Sequence, residues 1–158
     1  MTLVTDSDDR YAIERLKYRY FRALDLKLWD VFEDCFVPDA TGAYAGLDFA
    51  DRASLVAYMR ENLGPSVISL HNAHHPEIDI DGDTATGIWY LEDTVLAPDF
   101  NFALEGAAFY EDRYRRTDAG WRIAHTGYTR TFDVQWSTAD VASFKFQKGT
   151  AYDHWAAK

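Results

Sequence analysis

The sequence predicts an α+β fold in which helices come first and an antiparallel sheet packs against them. Up to Leu63, apolar residues recur at intervals of three and four, as on the buried face of a helix. From Val67 onward the interval falls to two, and glycine-containing turns separate the segments, as in strands joined by hairpins. A single domain, residues 1–158, is predicted because 158 residues with 47% hydrophobic side chains can bury one sizeable core.

Three helices are predicted in the first part of the chain. The first follows candidate N-cap residues at positions 6–8. Its apolar positions are Ile13, Leu16, Tyr20 and Leu24. The second spans residues 28–36 and ends before Pro38, because a helix does not readily continue through proline. The third begins after the N-cap Asp51 and stops at Gly64.

Strands are predicted for the remainder. A short one at residues 41–44 precedes the third helix, and the longer ones lie at 67–76, on both sides of Gly82, at 106–116 and at 121–132. Glycines inside these strands, Gly87, Gly106 and Gly127, would let the sheet bend around a cavity. We expect that cavity to be lined by Trp89, by Phe109 or Tyr110, and by Tyr20, and to suit a hydrophobic ring system.

The turn at Asp81-Gly82-Asp83 fixes the faces of the hairpin around it. With a two-residue loop, Ile78 and Ile80 share the buried face with Ala85, Gly87, Trp89 and Leu91. Extended in both directions, this alternation predicts that His74 and Asp93 also face inward. The same alternation turns His71 and His75 outward, so the three histidines are split between faces and no metal site is predicted.

Charge and cysteine content narrow the partners. The net charge of −10 and the pI near 4.8 argue against nucleic acid or an anionic membrane, because no basic stripe is evident. A neutral or apolar small molecule is the expected ligand. The single cysteine, Cys35, excludes an internal disulfide. With neither a signal peptide nor a membrane-spanning run in this sequence, a soluble cytoplasmic protein is predicted.

Four segments carry a family resemblance. They are KYRYFRALDLKLWD (17–30), HNAHHPEIDIDGDTATGIWYLED (71–93), GAAFYEDRY (106–114) and GWRIAHTGYTR (120–130). In this order they resemble the SnoaL-like branch of the nuclear transport factor 2-like superfamily. The nearest resemblance is to bacterial bile-acid dehydratases, with scytalone dehydratase and hexachlorocyclohexane dehydrochlorinase as more distant relatives. The resemblance implies a cone-shaped α+β barrel, a homodimer or homotrimer, and chemistry without a metal or organic cofactor.

The resemblance also assigns site residues. Tyr20 and Asp25 match the tyrosine and the aspartate of the family's first-helix motif. His74 matches the histidine before the Pro-Glu-Ile strand, and Asp93 matches the aspartate that ends Tyr-Leu-Glu-Asp. Arg130 matches the arginine of the Gly-Tyr-x-Arg strand. These five are the predicted catalytic residues. The predicted substrate-binding residues are Tyr44, Trp89, Tyr110 and Tyr128.

Each catalytic candidate has a structural alternative. Asp25 could be the N-cap of the second helix, His74 a strand histidine with its polar atoms satisfied, and Tyr20 a core residue. Asp93 could be a solvated carboxylate at a strand end. Arg130 has outward strand parity unless a bulge, with Gly127 as a candidate position, resets the alternation.

Residues 133–158 form an aromatic C-terminal extension. Its apolar residues are Trp136, Phe144, Phe146, Tyr152 and Trp155. A segment this apolar is expected to cover the pocket mouth as a lid or to pack against another subunit.

The chemistry predicted from these residues is acid/base elimination. An Asp25–His74 dyad would remove a proton beside an activating group, Tyr20 would stabilise the developing negative charge, and Asp93 or a pocket tyrosine would assist the departing hydroxyl. This describes a dehydratase acting on an alicyclic or steroid-like substrate. An isomerase or cyclase using the same base is the first alternative, and a non-catalytic binding protein, similar to dioxygenase small subunits, is the second.

Overall fold

The computed structural model describes residues 6–158 and confirms the α+β class. Its helices are α1 (Asp6–Leu26), α2 (Trp29–Glu33), α3 (Arg52–Asn62) and α4 (Ala151–Ala156). Its strands are β1 (Phe36–Tyr44), β2 (Leu47–Phe49), β3 (Ile68–Asp81), β4 (Thr84–Ala97), β5 (Phe102–Thr117) and β6 (Gly120–Ser137). Short 3₁₀ turns lie at Pro98–Phe100 and Thr138–Asp140.

The six strands form one curved, unclosed sheet in the order β2-β1-β6-β5-β4-β3. Strands β3 to β6 are an antiparallel meander, as predicted. Strand β1 adds to it by running parallel to β6, and the backbone N–H of Ile123 donates to the carbonyl of Cys35 (2.8 Å). This long-range parallel pairing has no signal in local periodicity, because the two strands are far apart in the chain.

Helix α1 packs on one side of the sheet, which we call the inner face; the opposite side is the outer face. Tyr20 on α1 and Trp89 and Tyr110 on the sheet are almost fully buried between them. The rings of Tyr20 and Tyr110 meet edge to face with centroids 6.3 Å apart. Burial of such large apolar surface is the main stabilising contribution to this packing.

The ends of α1 and α3 have specific capping. Asp51 caps α3 as predicted, since its Oδ1 accepts a hydrogen bond from the backbone N–H of Ser54 (2.7 Å). Helix α1 ends at Leu26, and Lys27 after it has a left-handed φ of 61°. The backbone N–H of Leu28 then donates to the carbonyl of Ala23 (2.8 Å). Glycine is the usual residue at such a position, so a lysine there carries a backbone cost.

A polar network lies inside the core. The ammonium group of Lys17 donates to Asp112 Oδ2 at 2.6 Å, and both side chains are fully buried. The Tyr114 hydroxyl also donates to Asp112 Oδ2 (2.8 Å) and accepts from the indole N–H of Trp89 (2.8 Å). Burial lowers the pKa of Lys17, and the neighbouring carboxylate opposes that shift.

The C-terminal segment folds back onto α1. Strand β6 takes up residues 133–137 of the predicted aromatic extension, and the remainder leads to α4. The guanidinium of Arg22 on α1 lies 5.2 Å from the ring of Trp155 on α4. The role of the extension as a lid or as a subunit interface stays a prediction. Within residues 6–158, every helix is too short or too polar to cross a bilayer.

Candidate active site

The hairpin of β3 and β4 starts as predicted and then departs from regular alternation. Asp81 pairs with Thr84, so the loop has two residues, and Ile78 lies opposite Gly87 on the inner face. Between His74 and Glu77 the register shifts by a β-bulge. His75, with φ of 22°, lies in this bulge. A bulge of one residue reverses the face of every side chain beyond it.

The bulge places His71, not His74, on the inner face. His71 lies directly opposite Asp93, whereas His74 pairs with Tyr90 on the outer face. The His74 side chain is 44% exposed, and its Nε2 lies 3.2 Å from the carboxylate of Glu92, whose side chain is 68% exposed. The predicted inward orientation of His74 is therefore wrong, and so is the predicted Asp25–His74 contact.

Asp25 instead pairs with His71. Its Oδ1 lies 2.6 Å from His71 Nδ1, and its Oδ2 accepts the backbone N–H of the same histidine (3.0 Å). The hydroxyl of Ser69 donates to Asp25 Oδ1 (2.8 Å), and the ring of Phe21 stacks on the imidazole with centroids 5.6 Å apart and planes 7° from parallel. These contacts fix the carboxylate and the imidazole in one relative orientation.

The alternative role of Asp25 as a helix cap is also excluded. The N-cap residue of α2 is Leu28, which makes no side-chain cap. Asp25 lies within the last turn of α1, and its side chain points to β3. Its contacts are those of a residue that orients a histidine.

Asp93 and Arg130 form a second charged pair beside the first. Nη1 and Nη2 of Arg130 donate to the two carboxylate oxygens of Asp93 at 2.6 and 2.8 Å. Asp93 is 4% exposed, so it is not the solvated strand end considered above. The hydrogen bonds to Asp93 raise the pKa of Arg130. Gly106, opposite Asp93, provides the space, because a Cβ there would lie 2.5 Å from Arg130 Nη1.

Arg130 faces inward because β6 contains a bulge, although not at Gly127. Ile123 pairs with Tyr114 and His125 with Arg113, so Ala124 is the extra residue that resets the alternation. Gly127 has a different reason to be glycine, because a Cβ there would lie 2.7 Å from the carbonyl oxygen of Ala43 on β1.

The tyrosines form a cluster between these pairs and the core. The hydroxyl of Tyr20 lies 2.7 Å from that of Tyr44 and 3.5 Å from that of Tyr110. Burial raises the pKa of all three, so they are protonated at neutral pH. Tyr128 is only partly buried, its ring meets Tyr44 and Tyr110 at 5.5 and 5.4 Å, and Arg130 lies 5.2 Å from the ring.

The remaining predicted pocket residues separate by face. Trp89 lies deep in the core, bonded to Tyr114, and Phe109 lies on the outer face with 43% exposure. Phe109 therefore points away from the helices, and its predicted place between the sheet and α1 is wrong. The part of the inner face that combines charge with partial exposure comprises Asp25, His71, Tyr128 and Arg130.

The arrangement suits proton transfer. In the tautomer whose Nδ1–H donates to Asp25, the lone pair of the His71 imidazole lies on Nε2, which has no hydrogen-bond partner among residues 6–158. Burial raises the pKa of Tyr128 and Arg130 opposes that shift, so Tyr128 can donate a hydrogen bond at neutral pH. Over the same described range, no group of three or more His, Cys, Asp or Glu side chains is arranged to hold a metal ion.

Besides His71, which was predicted to face outward, sequence reasoning missed three residues of the site. Ser69 and Phe21 support the Asp25–His71 pair, and the Lys27 ammonium donates to the hydroxyl of Ser69 (3.2 Å). Burial lowers the pKa of Lys27 to about 8, although nearby Asp25 opposes the shift. Ser69 was detectable in principle, since it precedes His71 by two residues and so shares its strand face.

Solved structures of low sequence identity share the fold. The Kfla4162 protein from Kribbella flavida superposes with a TM-score of 0.77 at 21% identity, covering 82% of this chain and 95% of that one. A candidate scytalone dehydratase from Novosphingobium aromaticivorans gives 0.78 at 17%, covering 85% and 92%. Hexachlorocyclohexane dehydrochlorinase LinA-type3 from Novosphingobium barchaimii gives 0.74 at 16%, covering 89% and 94%.

Sequence comparison identifies the family. An uncharacterized protein of Mycobacterium tuberculosis is 29% identical over 135 residues, which is 84% of this chain and 92% of that protein. The narrower resemblance to bacterial bile-acid dehydratases stays a prediction. The model of the SnoaL-like domain matches residues 5–127, well over half of the sequence. The chain therefore belongs to the SnoaL-like domain family.

Proposed function

We propose that the protein is a cofactor-independent lyase that dehydrates a hydrophobic alicyclic or steroid-like substrate, with His71 as the general base. The observation that carries this proposal is the 2.6 Å contact between Asp25 Oδ1 and His71 Nδ1, combined with an Nε2 atom that no residue in 6–158 contacts by a hydrogen bond. Asp25 orients the imidazole, selects the tautomer with the proton on Nδ1, and stabilises the imidazolium that forms.

The remaining site residues have complementary roles in this proposal. As His71 takes a proton beside a carbonyl or conjugated system, negative charge develops on the substrate oxygen. The His71 imidazolium then gives this proton to the departing hydroxyl, which leaves as water while the carbon–carbon double bond forms. Tyr128, protonated at neutral pH and in contact with the Tyr44 and Tyr110 rings, donates to that oxygen, and the guanidinium of Arg130 adds positive charge nearby. Tyr20 supports this cluster from the core through its hydroxyl contact with Tyr44.

Two structural neighbours support an elimination. One is named a candidate scytalone dehydratase and the other a dehydrochlorinase, and both names describe loss of a proton and a leaving group. At 16–17% identity they share only the fold with this chain. The support for the reaction therefore comes from the residues, and the neighbours indicate that the fold accommodates such chemistry.

Isomerisation by the same base is the second candidate, and one observation favours it. Both oxygens of Asp93 accept short hydrogen bonds from Arg130, so neither oxygen is available to deliver a proton to a departing hydroxyl. A reaction without a leaving group needs no such acid. The mass of the product distinguishes the two, because dehydration removes one water and isomerisation leaves the mass unchanged.

The test is turnover of a panel of hydroxylated steroid and bile-acid derivatives, free and as thioesters, followed by absorbance of conjugated products and by mass. We expect His71→Ala to lower kcat about a hundred- to ten-thousand-fold, as for the loss of a general base. His74→Ala is the matched control, since His74 lies on the outer face three residues away. Equal rates for His71→Ala and wild type would overturn the assignment of the base. No turnover of any substrate by wild type would favour the non-catalytic alternative.

A further inference from the structure

A concave feature apart from the candidate active site lies where the four helices approach one another, at the C-terminal end of α1. It is a cleft of about 630 Å³, a volume typical of small-molecule sites. Its lining includes Arg22, Lys27, Trp29, Asp30, Arg60 and Trp155. We call it the basic cleft. These residues come from α1, its C-terminal turn, α2, α3 and α4, so the fold rather than one sequence segment assembles the site.

The cations of the basic cleft have no carboxylate partner. Seven arginines elsewhere each have a carboxylate oxygen within 4 Å. In the described part of the chain, by contrast, the cations that line the cleft form no salt bridge, although Asp30 also lines it; they are Arg22, Lys27, Arg60 and Lys158. In a protein of net charge −10, four cations without a salt bridge around one cleft are a local excess of positive charge that the overall charge hides.

Lys27 occupies its place at a conformational cost. Its φ of 61° is one that glycine adopts far more readily, and the residue that lines the cleft there is nevertheless a lysine. That ammonium also donates to Ser69, which donates to Asp25 (3.2 and 2.8 Å). Since Asp25 contacts His71, three hydrogen bonds connect the basic cleft to the candidate base.

We propose that the basic cleft binds an organic phosphate, with its anionic group on Arg22, Lys27 and Arg60 and its planar or apolar part against Trp29 and Trp155. A phosphate ester suits three cations better than a carboxylate does, because it carries up to two negative charges and three acceptor oxygens. The indoles offer flat apolar surface beside these charges. This binding is separate from the proposed chemistry, because it can be measured without turnover.

The experiment is calorimetric titration with three probes at about physiological ionic strength. ADP combines a planar base with phosphates, pyrophosphate carries the charge alone, and adenosine carries the base alone. We expect ADP to bind more tightly than either of the others. If adenosine bound as tightly as ADP, the proposed contacts between phosphate and the cations would be wrong. If pyrophosphate bound as tightly as ADP, the proposed contacts between the organic part of the ligand and the two tryptophans would be wrong. No detectable ADP binding would overturn the proposal as a whole.

Variants locate the binding. Arg22→Gln, Lys27→Gly and Arg60→Gln should each weaken ADP about three- to tenfold, the effect of one partly solvated charged contact. Lys27→Gly suits the left-handed backbone, so loss of folding is not expected to confuse the result. Arg113→Gln is the matched control, an exposed arginine on β5 outside the cleft and likewise without a salt bridge among the described residues. Equal losses in Arg113→Gln and Arg60→Gln would place the effect in overall charge and overturn the site. His71→Ala should bind ADP as wild type does, so failure of the proposed base and failure of the cleft are distinguishable.

Discussion

Replacing Lys17 by methionine tests the buried polar network most directly. Lys17 Nζ lies 2.6 Å from Asp112 Oδ2, and neither side chain has exposed surface. The ammonium also lies 3.6 Å from the centroid of the Tyr110 ring, a favourable cation–π contact. Methionine keeps most of the volume and removes the charge, so Asp112 would stay buried with only Tyr114 donating to it.

The expected cost is about 3–5 kcal/mol in the free energy of unfolding, the usual result of leaving one member of a buried ion pair without its partner. Against a total of roughly 5–15 kcal/mol, this is a large fraction. For a chain of this length it corresponds to a fall of about 6–20 °C in Tm. Urea denaturation followed by circular dichroism measures the free energy, and Arg15→Met, at an exposed position of the same helix, should change it by less than about 0.5 kcal/mol.

A double variant separates the charge from the packing. Lys17→Met combined with Asp112→Asn removes both charges, and the amide oxygen can still accept from Tyr114. We expect the double variant to be more stable than Lys17→Met alone by about 2 kcal/mol. A loss below about 1 kcal/mol for Lys17→Met, or additive losses in the double variant, would refute the view that an unpaired Asp112 carries the cost.

Three further predictions concern single positions. Arg130→Met should lower the unfolding free energy by about 2–3 kcal/mol in urea denaturation, because Asp93 loses both hydrogen bonds. Arg130→Lys should recover only part of this loss. A loss below about 0.5 kcal/mol in Arg130→Met would contradict a stabilising role of the Asp93–Arg130 pair. Burial lowers the pKa of Lys27 to about 8, so above that pH the unfolded chain binds more protons than the folded one. Between pH 8 and 9.5 the unfolding free energy of wild type should therefore rise by about 1 kcal/mol relative to that of Lys27→Gly, measured by urea denaturation. An unfolding free energy that depends on pH in the same way in both proteins would contradict this shift. His75 has a positive φ of 22°, which glycine adopts more readily than histidine does. His75→Gly should therefore be about 1 kcal/mol less destabilising than His74→Gly in thermal unfolding. Equal losses of stability in the two variants would contradict backbone strain at the bulge.

The sequence was informative wherever local chemistry decides the structure. The two-residue turn around Gly82, the inward pairing of Ile78 with Gly87, and the Asp51 cap of α3 all follow from rules that span a few residues. Those rules operate on neighbours along the chain. The Lys17–Asp112 pair, by contrast, joins residues 95 positions apart, and nothing local to either indicates the other.

The predicted inward orientation of His74 is wrong for a local reason, and the sequence contains a sign of it. If side chains alternate between the two faces without interruption from the Gly82 turn through Pro76, His74 faces inward. Proline has no N–H for the ladder, and inside a strand it marks an edge or a bulge. Strand β3 is an edge strand and is bulged between His74 and Glu77. Counting one extra residue at Pro76 would have turned His71 inward and His74 outward.

The breaks in regular structure coincide with the charged groups of the site, and this has a physical reason. A regular strand on an inner face is selected for apolar side chains, because each polar group there must find a partner. The bulge at His75 and the bulge at Ala124 each shift the alternation by one, which turns His71 and Arg130 toward the carboxylates of Asp25 and Asp93. Regular alternation would turn both side chains to solvent. Periodicity therefore predicts the core of this fold and is least dependable at the residues that give the inner face its chemistry.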